Sequence, residues 1–398
     1  MEKQNQSVTK AMGFTSAIAV ASVLFGSHAG GGFATGNQAT QYYVQYGWAA
    51  PIMAILAMAL LTLTIRECII MYNSRGLTSY KELFQTLYHP FDKLSFLFDI
   101  YFYVMVLCAV GAVIAGAASL LNTTYSIPYV SAVLSVGAVL LILTIFGASL
   151  VAKASTIMSV GILTSCAVIF MLGINAKIPE ISDIFITRTG SANIPQGILK
   201  AFTYAGFQSV VIPTMISCGT VLKSPKEVSK SMVISFIINS VALVLSVIML
   251  LGWYTEFTQV GQTTLPTLYI TEQLGRPYIF WAYNICLFLC FISTGVTTIF
   301  GFVSKFEKTK ILSAINKVVV RRIIVSSFIM ILSMGISMAG LDKIIKYGYG
   351  YMGYFGIAII IIPFLTVGVY KNRKYLRKQS SDSTNVNITK VEIIQSEI

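Results

Sequence analysis

Apolar stretches long enough to cross a hydrocarbon core recur along residues 12–370, separated by short polar or charged punctuation. No other feature restricts the possible folds as strongly. Hydrocarbon offers no water to an open backbone N–H or C=O, so a spanning segment must be a helix or belong to a closed barrel. Runs of this length suit helices, because barrel strands are about half as long and alternate in polarity. With 56% hydrophobic and 11% charged residues, the chain is too apolar for an ordinary soluble globule. Ten spans are expected, at 12–43, 48–72, 91–121, 127–149, 155–175, 195–220, 229–253, 278–304, 318–340 and 344–370.

Lys3 and Lys10 ahead of an apolar run imitate a secretory signal, but the run passes through Gly26 into the same span, so no cleavage is expected. The net charge of +13 raises the question of nucleic acid. The basic residues instead sit in short loops beside spans, where they set orientation. Arg66, Arg75, Lys81, Lys93, Lys153, Lys223, Lys226, Lys230 and the basic residues of 305–322 and 371–390 fall on the side of the N-terminus. The opposite loops hold only Lys177, Arg188, Arg276, Lys343 and Lys346. This asymmetry predicts a multi-pass protein of the cell membrane with both termini cytoplasmic, a lipid bilayer as its surroundings, no nucleic-acid partner and no obligate protein partner. Cys68, Cys108, Cys166, Cys218, Cys286 and Cys290 all fall in apolar spans, which gives neither a disulfide framework nor a zinc spacing.

Ten spans divide into two fives: a cytoplasmic N-terminus at 1–11, a first repeat at 12–175, an external connector at 176–194, a second repeat at 195–370 and a disordered cytoplasmic tail at 371–398. Because five is odd, the halves start on opposite sides, as inverted repeats do. Their first spans share a defect. Span one is interrupted by "FGSHAGGGFATGNQ", with Gly26, Gly30, Gly31 and Gly32 within seven residues, and span six, "AFTYAGFQSVVIPTM", carries Gly206, Gln208 and Pro213. Each glycine costs a helix about 1 kcal/mol relative to alanine, so the first stretch should unwind. Unwound backbone at membrane depth is tolerated where it is buried in protein or lines a polar cavity, which predicts a site between spans one and six. The expected fold is therefore an all-α integral membrane protein of ten helices in a 5+5 inverted repeat, with helices 1 and 6 broken at mid-membrane. Gly111, Ala115 and Ala118 read instead as a close-packing stripe. Between spans, "SRGLTSYKELFQTLYHPFDK" reads as an interfacial helix, and "TEFTQVGQTTLPTLYITEQLGRP" as a loop with short helical content.

These residues resemble the amino acid–polyamine–organocation superfamily with the LeuT-type fold, and within it the YkvI-like permeases of bacteria. The sharpest local part is the pairing of "FGSHAGGG" in span one with "STGVTT" in span eight. The resemblance implies a sodium site formed by the carbonyls of Gly26, Ala29 and Thr294 and the hydroxyls of Thr297 and Thr298. Neutral oxygens suit a monovalent cation, whereas a divalent one usually demands carboxylates. Threonines in spans also commonly bond their own helix carbonyls, the plainer reading of Thr297 and Thr298. Substrate contacts are implied from Ser27, Gly30 and Gly31 in span one and from Tyr204, Ala205, Phe207 and Gln208 in span six, with Phe207 as an aromatic lid. Gln208 and His28 depart from the sodium-coupled pattern. His28 can hydrogen-bond substrate, titrate, or satisfy unwound carbonyls. Arg66, Glu67 and Asp99, near the inner ends of spans two and three, read either as a cytoplasmic gate or as interfacial anchors.

The leading expectation is a secondary transporter, sodium-coupled, moving a small amino acid-like or amine solute by alternating access with no cofactor besides the coupling ion. The alternatives are a proton-coupled permease and a non-transporting receptor of the germinant-receptor kind. Enzyme chemistry finds no paired carboxylates, no Ser-His-Asp order and no metal-ligand cluster.

Overall fold

The computed structural model describes residues 2–28, 30–190, 193–306, 315, 317–379 and 381, without side chains at 2–14, 148–150, 152–156, 159, 304 and 305. Ala29, the Lys153 side chain and the tail from 382 onward thus lie outside the described residues. Every regular element among the described residues is helical.

In chain order the helices are α1 (Glu2–His28), α2 (Gly31–Ala34), α3 (Asn37–Tyr42), α4 (Ala50–Ser74), α5 (Tyr80–Tyr88), α6 (Phe96–Tyr125), α7 (Tyr129–Ile142) and α8 (Ala148–Asn175). They continue with α9 (Ile178–Ile186), α10 (Ile194–Gln208), α11 (Ile212–Cys218), α12 (Pro225–Gln259), α13 (Pro266–Gln273), α14 (Pro277–Phe306), α15 (Val318–Ser337) and α16 (Leu341–Gln379), the last containing several π-helical turns. Among the described residues, seven helical segments are long and apolar enough to cross a membrane. In the expected spans one, five and six, the side chains of α1 are described only from Thr15, those of α8 fully only from Val160, α8 and α9 meet at a 72° bend, and α10 gives way to α11 through a 3-10 turn. We call the face holding the C-terminal end of α4 and α5 proximal, and the opposite face distal.

Local chemistry sets the element ends. Ser79 accepts from the Glu82 N–H to start α5, and Ser224 accepts from the Glu227 N–H to start α12, each a side-chain N-cap with a glutamate three residues on. The interfacial helix expected after span two is α5, and the helix expected in the loop before span eight is α13.

Span one behaves differently from a single unwound stretch. The chain leaves helix after His28, re-enters it at Gly31, and breaks again at Gly36, whose φ of +78° requires glycine. A Cβ there would also lie 2.6 Å from the Thr267 hydroxyl. Span six differs as well. α10 stays helical through Gly206 to Gln208, a 3-10 turn covers Ser209–Val211, and Pro213 sits in the first turn of α11, where its missing N–H costs no helix bond. Gly206 therefore serves packing and not unwinding. A Cβ on it would lie 2.2 Å from the Gly353 carbonyl oxygen, and one on Gly356 would lie 2.4 Å from the Gly206 oxygen, so α10 and α16 touch backbone to backbone. The stripe at Gly111 is likewise packed, with a Cβ there falling 2.9 Å from Ile336 of α15.

α1 is held to α12 by a serine ladder at helical spacing. The Ser231 hydroxyl donates to the Ala17 carbonyl at 2.8 Å and Ser235 to Ala21 at 3.5 Å, with Asn239 one turn further on. Such intramembrane bonds contribute about 0.6–2 kcal/mol each and fix helix register.

Replacing Gly353 by leucine should cost at least about 1–3 kcal/mol, since the Thr203 carbonyl oxygen and methyl group both lie 2.5 Å from where its Cβ would be. Thermal unfolding of purified Gly353→Leu protein should show a clearly lowered midpoint, and an unchanged midpoint would contradict the α10–α16 contact.

Candidate functional site

The end of α1 meets α10 through a buried chain of polar side chains. The Gln208 amide nitrogen lies 3.4 Å from the Tyr204 hydroxyl, which lies 2.8 Å from His28 Nε2 and 3.5 Å from the Gln38 amide oxygen. These four residues are 7%, 0%, 3% and 6% exposed, in the order Gln208, Tyr204, His28 and Gln38. If Gln208 donates to Tyr204 and Tyr204 donates to His28 Nε2, the imidazole proton sits on Nδ1. Asn239 on α12 faces the His28 ring as a side-chain partner, whereas the buried Tyr43 hydroxyl beside Tyr204 has no hydrogen-bond partner among the described residues. Unpaired buried polar atoms are costly and call for a water or a ligand. Glycine at 32 makes room for the chain, since a Cβ there would fall 2.4 Å from the Gln38 amide nitrogen.

Aromatic rings close over this chain on the distal side. Tyr204 contacts Tyr42, Tyr43 and Phe207 with ring centroids 5.6, 5.1 and 4.8 Å apart, and Phe207 packs on Tyr349 at 5.0 Å. Phe207, expected as a lid, is buried at the middle of this group. Beyond the rings lies a polar knot. The Asn37 amide donates to the carbonyls of Thr263 and Thr264, both at 3.1 Å, and to the Asp342 carboxylate, which also accepts from the Thr264 hydroxyl at 2.7 Å. Gln41 adds a bond to the Asn37 side chain at 2.7 Å. Together these tie α3, the loop before α13 and the start of α16, which seals the distal face.

Backbone groups released at the breaks are bonded by tyrosines. The Tyr101 hydroxyl on α6 lies 2.6 and 2.8 Å from the carbonyl oxygens of Gly206 and Phe207, and the Tyr283 hydroxyl donates to Ala34 at 2.8 Å. The Thr267 N–H donates to the Thr35 carbonyl at 3.1 Å.

Of the sequence-expected contacts, His28, Tyr204 and Gln208 come together directly, and Ala205 is buried beside them in α10. Gly30 caps α2 in extended conformation, and a Cβ on it would lie 3.7 Å from the Thr294 hydroxyl, which places the α1–α2 junction against α14. Gly31 packs on Phe291, with a Cβ position 2.5 Å from that ring. Ser27 is exposed and donates to its own helix at Val23. Gly26 is also exposed, with no heavy atom within 4 Å of where its Cβ would be. Thr297 is exposed and donates to Ser293 at 2.8 Å and Thr294 at 3.2 Å, while Thr298 is half-buried. Thr297 thus makes the bonds to its own helix carbonyls that threonines in spans commonly make, with its oxygen lone pairs still open. Ala29 lies outside the described residues.

Near the proximal face, Arg66 pairs with Glu67 and donates to the Ser229 hydroxyl at 2.8 Å, and Asn372 of α16 donates to the Glu67 carboxylate at 2.9 Å. Asp99 accepts from the Tyr80 hydroxyl at 2.7 Å, which ties α6 to α5. Sequence reasoning missed Gln38, Asn239, Tyr101 and the Asp342 knot. Each is a polar residue in or beside an apolar span, a signal that marks a residue as interesting without naming its partner.

No protein-family model and no curated protein matches the sequence. Solved structures do. MhsT in complex with L-phenylalanine aligns with TM-score 0.60 at 16% identity over 87% of each chain. A Na+-coupled sialic acid symporter in a substrate-bound outward-open state aligns with TM-score 0.56 at 15% identity over 87% of this chain and 78% of its own. The Eremococcus coleocola manganese transporter, bound to an aromatic bis-isothiourea compound, aligns with TM-score 0.52 at 13% identity over 97% of this chain and 92% of its own.

The buried chain generates a non-additivity prediction. Tyr204→Phe strands His28 Nε2 and the Gln208 amide and should cost about 1–3 kcal/mol of stability, whereas adding His28→Leu should cost less than the sum of the two single changes. Strict additivity in thermal unfolding would show that His28 and Tyr204 do not act as a unit. The breadth and coverage of the structural likenesses give this helical membrane protein the LeuT-type transporter fold.

Proposed function

We propose that this protein is a secondary transporter of the cell membrane, with ten spans in two inverted repeats and both termini cytoplasmic, that moves a small amino acid-like or amine solute by alternating access with sodium as coupling ion. The observation that supports it most is the buried polar chain His28–Tyr204–Gln208 where α1 stops inside the bundle. Polar side chains gathered at a helix break inside an apolar bundle offer donors and acceptors to a solute. The aromatic wall of Tyr42, Tyr43, Phe207 and Tyr349 suits an apolar side chain or a cationic amine.

Distal closure by the aromatic rings and the Asp342 knot, together with exposure of Gly26, Ser27 and Thr297, supports a state closed on one face only. Sodium would be held by Gly26, Ala29, Thr294, Thr297 and Thr298. Among the described residues no three of His, Cys, Asp and Glu gather into a group able to hold a metal ion, which argues against a divalent metal as cargo. The neighbours that support the reading are themselves transporters, two of them named for sodium coupling or amino acid binding.

Thermal stability of the detergent-purified protein tests this reading, measured in sodium against potassium or choline across a panel of amino acids and small amines. Sodium should raise the midpoint, Thr297→Ala/Thr298→Ala should abolish the rise, and a solute should add a further shift. A pH-dependent response that His28→Asn removes, with no sodium effect, would replace sodium by protons. A solute shift in a protein that carries no flux would make it a receptor.

A further inference from the structure

On the proximal face, α5 and the end of α16 line an open cavity of about 500 Å³ that takes no part in the proposed transport site. Its walls carry four cations, Arg75, Lys371, Lys374 and Lys378, against two carboxylates, Glu82 and Asp92. The last three cations lie at i, i+3 and i+7 on one face of α16.

The cavity's charges divide into committed and free ones. Lys371 uses all three ammonium protons on the carbonyls of Thr86, Leu87 and His89, at 3.0, 2.9 and 2.8 Å, which caps the end of α5. Arg75 donates to the Asn372 side chain at 2.8 Å and the Lys371 carbonyl at 3.1 Å and stacks 4.5 Å over the Tyr375 ring. The Glu82 carboxylate is occupied by the Thr78 N–H and hydroxyl, both at 2.8 Å, which hold it below the usual carboxylate range. Asp92 faces the His89 ring nitrogen at 3.1 Å. Lys374 and Lys378, by contrast, have no hydrogen bond or ion pair among the described residues, and the Gln85 amide and Thr86 hydroxyl beside them are likewise uncommitted. Two free ammonium groups and two neutral donors on a rigid, already neutralised frame are a complement to a phosphate anion. The chain leaving the cavity then presents Phe91, Leu94 and Phe96, which are 68%, 40% and 51% exposed, at the edge of the apolar bundle.

From this juxtaposition we infer that the cavity between α5 and α16 binds a phosphate anion, carried by an acidic phospholipid whose chains lie along Phe91, Leu94 and Phe96. The lipid thereby couples the end of α16, already bonded to Glu67 through Asn372, to the membrane surface.

Full-length protein in nanodiscs of phosphatidylcholine, with and without phosphatidylglycerol, tests this by thermal unfolding. Phosphatidylglycerol should raise the midpoint by about 2–4 °C. Lys374→Gln/Lys378→Gln should lose that rise while unfolding like wild type in pure phosphatidylcholine, because both side chains are exposed. Arg373→Gln/Arg377→Gln, on the same helix but outside the cavity lining, should keep it. No rise with phosphatidylglycerol, or equal loss in both double variants, overturns the site, because general charge attraction then explains everything. Inorganic phosphate added to phosphatidylcholine discs should leave the midpoint unchanged. A rise equal to that of the lipid, removed by Lys374→Gln/Lys378→Gln, would overturn the lipid as source and assign the cavity to a soluble phosphate.

Discussion

A carbonyl released from its helix inside hydrocarbon must find a donor within the protein, and in this structure tyrosine is the recurrent answer. Tyr283 bonds Ala34, Tyr101 bonds Gly206 and Phe207, Tyr42 bonds Ile345, Tyr88 bonds Ile359, and Tyr129 bonds Ser337. Each acceptor lies where regular α-helix stops: at the break after α2, at the 3-10 turn after α10, in π turns of α16, or at the end of α15. A phenol suits the task because its ring packs in the apolar interior while its hydroxyl reaches across a helix diameter. Without such donors each open carbonyl would cost several kcal/mol, and the interruptions that shape the central site could not persist at membrane depth.

That constraint links the two ends of the molecule to its middle. Tyr42 bonds the start of α16 and also forms one wall of the aromatic group around Tyr204. A change in how α16 sits is therefore felt at the buried His28–Tyr204–Gln208 chain. At the proximal end the same helix holds Glu67 through Asn372 and the end of α5 through Lys371. Glycines at 353 and 356 let it ride directly on α10. Helix α16 thus touches the distal knot, the aromatic wall and the proximal charges.

Much of this was legible in the sequence. The long apolar runs announced helices, and the glycine-rich stretch at 26–32 announced an interruption. His28, Tyr204 and Gln208 were each singled out from sequence, and the structure shows them bonded together. The errors have a common physical source. Gly206 looked like a helix breaker because glycine weakens helices, yet tertiary contact outweighs propensity, and its missing side chain is used for the approach of Gly353. Gly36, just past the expected break, needed a dihedral angle that composition cannot reveal. Tyr101 and Asp342 were hidden because their roles are fixed by partners more than a hundred residues away in the chain, such as Asn37 for Asp342.

The central claim is that the interrupted α1 and the buried polar chain form a solute site served by alternating access. Solute uptake into sealed proteoliposomes under an imposed sodium gradient tests it most directly, using amino acids and small amines. The account predicts that at least one such solute accumulates above its outside concentration only while the gradient lasts, and that it fails to do so when Gln208 is replaced by alanine. A solute that binds the purified protein tightly but is never carried across, with or without any ion gradient, would contradict it.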